Sequence, residues 1–378
     1  MNSKISTRVI FFIAGLVTAS WAVIVPFAKA NTAINDAMLG TLLLCLGLGA
    51  MVAMPVTGAL TSRFGCQKVI SCAVIIILLT LPLLAVVTSP LSLGVSLLVF
   101  GVGVGITDCA MNVQAILVEK SAPKPLMSGF HGMFSIGGIA GAGLMTGLMS
   151  LGVSIMLSSL TMTALVLLLL IASYRHFLPY ANPVEGPAFA VPKGVVLVIG
   201  LICFIIFMAE GAILDWSALY LVETRNVPET LGGLGFAAFA TAMTIGRLSG
   251  DFMVGKYGAL KVVMAGIVLA ALGFLIVITS ESFAVVLAGY LLVGCGCANI
   301  VPVMFSQIGK QNVMPQMVAV PAVTTLGYIG ILAGPAIIGY IAHHSTLSHG
   351  FIFVMGLIVL AALLSWSLRH LIQAHKEA

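Results

Sequence analysis

The stretch Leu97–Lys120, LLVFGVGVGITDCAMNVQAILVEK, decides how the rest of the chain is read. It is long and apolar enough to cross a bilayer, yet it carries Asp108 near its middle. At helical spacing Gly101, Gly105, Asp108, Asn112 and Ala115 share one face. Asp108 stands twelve residues before Lys120, about 18 Å along a helix and close to the centre of a hydrocarbon core of roughly 30 Å. A carboxylate there costs about 3 kcal/mol or more, so such a group turns toward a partner or a polar path.

Composition makes this a membrane chain. Of 378 residues, 61% are hydrophobic and 7% charged. Soluble domains carry about 25% charged residues. So few charges cannot cover a water-facing surface, and lipid is the solvent for most of the protein. The seven cysteines form no metal spacing or disulfide framework and read as small core residues. Lys4 and Arg8 precede the apolar run Val9–Phe27, which is longer than a cleaved leader and reads as a retained first span.

Windows of about 20 apolar residues predict twelve spans. They lie near 8–30, 39–61, 69–88, 95–118, 127–149, 153–174, 195–222, 231–254, 260–279, 284–307, 317–342 and 350–369. With the N-terminus inside, thirteen Lys/Arg residues (among them Arg63, Lys120, Lys193, Lys256 and Lys376) fall at cytoplasmic ends. Lys29 and Arg225 fall outside, and Arg247 lies within span 8. That bias predicts twelve crossings with both termini in the cytoplasm.

The chain also repeats itself. Arg63-Phe64-Gly65 after span 2 matches Lys256-Tyr257-Gly258 after span 8, and Gly137 and Gly141 match Gly330 and Gly334. Each match has an offset of 193 residues. Two parallel six-helix halves follow, 1–174 and 194–378, joined by a proline-rich cytoplasmic linker at 175–193.

These features resemble the major facilitator superfamily. Gly58-Ala59-Leu60-Thr61-Ser62-Arg63-Phe64-Gly65 is similar to its loop signature, with Ser62 where an Asp usually stands. The second copy, Gly246-Arg247-Leu248-Ser249-Gly250-Asp251, keeps its acid. The resemblance implies a twelve-helix transporter fold in which such loops latch the halves. Gly58, Arg63, Gly65, Arg247 and Asp251 are the latch candidates, the last two as a pair.

Within the superfamily, Asp108-Cys109-Ala110-Met111-Asn112 and Pro302-Val303-Met304-Phe305-Ser306 resemble fucose permease-like sugar:proton symporters. Span 1 carries no acid, unlike the best-known member. The expected function is proton-coupled symport of a small polar solute, a monosaccharide or relative, by alternating access. Asp108 is the first proton-coupling candidate and Glu210 in span 7 the second. Trp21, Asp108, Asn112, Asn299, Gln307 and Tyr328 are the solute-binding candidates. Each has a structural alternative: a helix–helix hydrogen bond, an amide bonded to backbone, or ordinary aromatic packing. Asp215 is expected at the outer rim, capping or pairing with Arg225, and His131 as an interfacial group or relay.

The rival function is a proton-antiporting exporter of drugs or metabolites; a third reading is a sensor with the same fold. Span 5 lacks the Gly-Pro that exporters of the superfamily often carry there, since Ala142 follows Gly141. No nucleotide-binding, metalloprotease, hydrolase or nucleic-acid motif is present. No enzyme activity, cofactor or metal is expected. The expected partners are the solute, the proton and the bilayer, with the protein a monomer.

Overall fold

The computed structural model describes residues 2–181, 190–228 and 231–373. Lys376 and residues 182–189 of the linker, with Pro183 and Pro187, lie outside the described residues. The described chain is helical along nearly all its length. Helix α1 is Ser3–Thr32. The run Asp36–Leu84 is broken at Gly65, where φ is 81° and ψ 157°, into α2 (36–64) and α3 (66–84). Then follow α4 (Pro90–Lys120), α5 (Met127–Ser150), α6 (Ile155–Tyr174) and α7 (Gly194–Leu219), which ends in a π turn, Tyr220–Thr224. Next are α8 (Leu234–Tyr257), α9 (Ala259–Thr279), α10 in two pieces (Phe283–Cys297 and Ile300–Ile308), α11 (Gln316–His344) and α12 (Leu347–Ser367). A short α13 (Arg369–Gln373) closes the described chain. The twelve expected spans are thus twelve helices, with boundaries shifted by a few residues.

Local chemistry sets the ends. Asn2, Asn35, Ser154 and Thr346 each accept a backbone N–H at the N-terminus of their helices. Ser89 and Ser92 cap each other reciprocally ahead of α4, with Pro90 at its first turn. Among the described residues ten helices are apolar and long enough to cross a membrane, with Met38–Leu84 and Phe283–Ile308 each taken as one and α8 not among them. Leu79, Leu168, Ile171 and Leu363 are each more than 60% exposed, which suits hydrocarbon rather than water.

The chain divides into two units. The first holds residues 1–121, 130–190 and 315–322; the second holds 122–129, 191–314 and 323–378. Glycine sets the helix packing inside each. In the first unit, a Cβ on Gly137 or Gly141 of α5 would run into the carbonyl of Phe12 or Leu16 on α1. One on Gly101 of α4 would meet the carbonyl of Leu46 on α2. In the second unit Gly330 of α11 abuts the Phe204 carbonyl on α7, and Gly294 of α10 abuts the Phe239 carbonyl on α8. Leu46 and Phe239, like Gly101 and Gly294, stand 193 residues apart. Gly258 also takes φ 85° and ψ 151°, the conformation of Gly65. The sequence repeat is therefore a repeat of backbone geometry and of contacts.

Candidate functional site

In the first unit the chemistry sits on α4. Gly101 and Gly105 press this helix against Leu46 and Ala50 of α2, so the backbones nearly touch. The next two turns carry Asp108, which is half-buried, and Asn112, 4% exposed. Asn112 Nδ2 donates to the Asp108 carbonyl oxygen at 2.8 Å. Its Oδ1 is buried and meets no hydrogen-bond donor among the described residues, and the same holds for Thr107 Oγ1. A buried acceptor without a donor is costly and calls for water or a solute hydroxyl. Trp21 of α1 is 5% exposed, its ring 6.4 Å from that of Phe100. It packs as a wall behind α4.

In the second unit Glu210 of α7 faces Arg247 of α8. Arg247 Nη2 lies 3.2 Å from Glu210 Oε1 and 3.5 Å from Oε2. The two side chains are 8% and 15% exposed, so the pair is largely removed from solvent. Asn299 sits in the break of α10. Its Nδ2 donates to the Gly246 carbonyl of α8 at 2.9 Å, and its Oδ1 stands where a side chain on Gly250 would be. Gln307 is fully buried, with Nε2 on the Val303 carbonyl at 3.4 Å and Oε1 without a donor among the described residues. Tyr328 of α11 is half-buried. The Asn299 amide donor thus joins α10 to α8.

A family model described as Major Facilitator Superfamily matches residues 9–319. The chain belongs to the major facilitator superfamily. It is a multi-pass membrane transporter of a small solute, not an enzyme. A Yersinia pestis protein named as an uncharacterized MFS-type transporter is 47% identical over 352 residues, 93% of this chain and 92% of that protein. The membrane protein MosC of Rhizobium meliloti is 31% identical, over 93% of this chain and 86% of its own length. Among solved structures, the E. coli fucose:proton symporter FucP superposes with a TM-score of 0.80 at 14% identity. That match covers 96% of this chain and 98% of FucP, and it shows a shared fold.

The superfamily's loop signature has distinct surroundings in its two copies. In the first, a Cβ on Gly58 would strike the Met317 carbonyl, and one on Gly65 the Pro179 carbonyl. Arg63 is exposed and lies 5.2 Å from the Phe64 ring centroid. In the second, Arg247 reaches inward to Glu210, while Asp251 Oδ1 accepts the Gly129 N–H in the first turn of α5 at 3.1 Å. A carboxylate at a helix N-terminus is favourable to the exposed amides and the dipole.

Sequence reasoning missed three features. The first is the Arg247–Glu210 pairing itself; its signal was that Arg247 lies well inside a predicted span rather than at its end, which demands an acid. The second is Gln114, fully buried, whose Nε2 donates to Thr7 Oγ1 (3.0 Å) and whose Oε1 accepts the Leu178 N–H (3.1 Å). The third concerns Arg225, expected beside Asp215. Its Nη2 instead donates to Tyr220 OH (2.8 Å) and to the carbonyls of Val277 (3.0 Å) and Ile278 (2.6 Å) at the end of α9. Asp215 is exposed. The His131 ring packs 5.1 Å from Phe11.

Proposed function

We propose that this transporter carries out proton-coupled symport of a small polar solute, a monosaccharide or a related hydroxyl-rich compound, by alternating access. One observation carries the reading: a half-buried carboxylate, Asp108, in the middle of spanning helix α4, one turn from the buried acceptor Asn112 Oδ1. Hydroxyl groups supply the donors that such acceptors lack. The fold shared with a fucose:proton symporter supports the sugar class.

Asp108 carries the proton and contacts the solute. A bare carboxylate opposes occlusion of an empty carrier because of its desolvation, and a protonated one does not. Glu210 is the second proton group. Asn112 and Tyr328 contact the solute, with Trp21, Asn299 and Gln307 shaping the walls. Gly58, Arg63, Gly65 and Asp251 are the latch positions of the two signature loops. The halves 1–174 and 194–378 rock about the 175–193 linker. The Lys/Arg distribution supports cytoplasmic termini, and the Yersinia and Rhizobium relatives support a bacterial inner membrane, where the protein works as a monomer.

The test is solute-induced alkalinisation with purified protein in liposomes, screened across hexoses, pentoses and amino sugars. A sugar that drives proton entry is the expected result. Asp108→Asn abolishes proton-driven accumulation while leaving solute exchange in place. Full accumulation by this variant removes Asp108 from the mechanism. If no sugar moves protons and a hydrophobic cation is expelled, the protein is an exporter.

A further inference from the structure

In the first unit the chain leaving α6 is fastened by buried chemistry. Gln114 of α4 is fully buried, about 9 Å along the helix from Asp108. An unpaired end on a buried amide costs about 1–3 kcal/mol, and here both ends are used. Nε2 donates to Thr7 Oγ1 of α1 at 3.0 Å, and Thr7 donates in turn to the Ser3 carbonyl at 2.7 Å. Oε1 accepts the N–H of Leu178, four residues past the end of α6, at 3.1 Å. Further bonds hold the same segment. The Tyr174, His176 and Leu178 carbonyls accept from Gln67 Nε2 (2.8 Å), Ser6 Oγ (2.9 Å) and Gln67 N–H (2.8 Å). Phe177 is buried among them, while Arg175 and Tyr180 are exposed. The seven residues Tyr174–Tyr180 thus bridge α1, α3 and α4.

The second unit has no copy of this arrangement. At the 193-residue offset Gln307 stands for Gln114, and Gly200 stands for Thr7 without its hydroxyl. Gln307 Nε2 turns back to the Val303 carbonyl of its own helix at 3.4 Å, and Oε1 has no donor among the described residues. The counterpart of Leu178 is Leu371, inside α13. Glycine packing repeats between the units and this fastening does not, so the shared fold alone does not require it.

We propose that Tyr174–Tyr180 is a strap belonging to the first unit, not a hinge, and that Gln114 is its lock. The strap holds the neighbouring ends of α1, α3 and α4 as one body. It thereby keeps the helix that bears Asp108 in fixed register with α1. Any hinge in the 175–193 linker lies beyond Tyr180. The lock is Gln114 rather than Gln67 for a physical reason. Gln67 Nε2 lies at an exposed bond, and water replaces the Tyr174 carbonyl when the strap lifts. Gln114 Oε1 is buried, and lifting the strap leaves it without a donor inside the protein. The proposal goes beyond the symport reading and depends neither on the solute nor on the proton.

The experiment follows amide hydrogen exchange and tryptic cleavage of the full chain in lipid nanodiscs, with no solute. In the unmutated protein the amides of His176, Phe177 and Leu178 exchange slowly. Trypsin cuts slowly after Arg175 although that side chain is exposed. Gln114→Met keeps the bulk and removes both polar ends. It speeds exchange at Leu178 and cleavage at Arg175 about tenfold, the scale of one lost buried hydrogen bond, while α1 and α4 stay protected. Thr7→Val removes the partner on α1 but leaves Oε1 to Leu178, so both rates stay as they were. A glutamine that only stabilises the fold would speed exchange throughout the unit, and in both variants alike; that result, or no effect of Gln114→Met, overturns the lock. Should Gln114→Met fail to insert, the unmutated protein decides. Fast exchange at 176–178, or prompt cleavage after Arg175, overturns the strap. Proton-coupled transport is scored separately in liposomes, so the symport reading stands or falls on its own.

Discussion

Gly65 and Gly258 hold nearly one backbone conformation, φ 81° and 85°, which residues with a side chain almost never adopt. Strain of this kind costs on the order of 1–3 kcal/mol, and it applies to both positions alike. Their surroundings differ. A Cβ on Gly258 meets nothing within 4 Å, whereas one on Gly65 runs into the Pro179 carbonyl. That contact belongs to a set of bonds that hold the start of the linker to the first unit. Gln67 N–H donates to the Leu178 carbonyl (2.8 Å), Gln67 Nε2 to the Tyr174 carbonyl (2.8 Å), and Ser6 Oγ to the His176 carbonyl (2.9 Å). Gly258→Ala should lower the unfolding midpoint in detergent by strain alone. Gly65→Ala should lower it further, because 179 must move as well. Equal shifts in a thermal unfolding assay would mean that the contact with Pro179 adds nothing.

Among the elements, α5 shows how glycine works in one direction only. Gly137 and Gly141 face α1, with no room for a methyl group, while Gly143 and Gly147 face open space. On the packed face Ala opens the interface; on the other it removes a flexible residue from a helix interior, worth about 0.5–1 kcal/mol in favour of Ala. Gly141→Ala should therefore destabilise and Gly147→Ala should stabilise or leave the midpoint unchanged, measured by the same unfolding assay. A fall with Gly147→Ala would place a partner on that face. The α5 interface was legible in the sequence, because the glycine spacing marks the close face and the repeat in α11 confirms its period. That Asn112 and Asp108 share one helix face was equally legible, as they stand four residues apart; that the Asn112 amide donates to the Asp108 backbone carbonyl rather than to another helix was not. Nor was the partner of Glu210. Periodicity fixes which way a side chain leaves its own helix but not which helix stands opposite. The same gap explains Asn299. Its polarity does not name its partner: Pro302 lacks the N–H that the Ala298 carbonyl would need and announces a break between Cys297 and Ile300, but not that the break sets Asn299 Nδ2 on the Gly246 carbonyl.

Over the whole molecule, the two six-helix repeats ask how far equal geometry implies equal energy. Gly101 meets Leu46 as Gly294 meets Phe239, and Gly103 lies near Ala73 as Gly296 lies near Gly266, all displaced by 193 residues. At Gly101 and Gly294 the obstruction is a backbone carbonyl, which cannot yield as a flexible side chain would. Gly101→Ala and Gly294→Ala should thus destabilise by similar amounts, a few kcal/mol by the scale of overpacking in a core. They share no partners and lie in separate units, so the double variant should lose the sum of the two. Symmetry ends at the signature loops: at the 193-residue offset Ser62 falls on Gly255 and Asp251 on Gly58, so Asp251 is not the counterpart of the acid missing at Ser62. Asp251 accepts the Gly129 N–H, and Gly58 abuts the Met317 carbonyl. Asp251→Gly would make the two loops alike at this position and remove one charge-assisted hydrogen bond, worth about 1.5–3 kcal/mol. If the loops act as latches of unequal strength, this substitution should change the rate of exchange while Gly101→Ala, tuned by temperature to equal stability, should not. Exchange rates that follow stability alone, whichever residue is changed, would reduce both loops to packing elements.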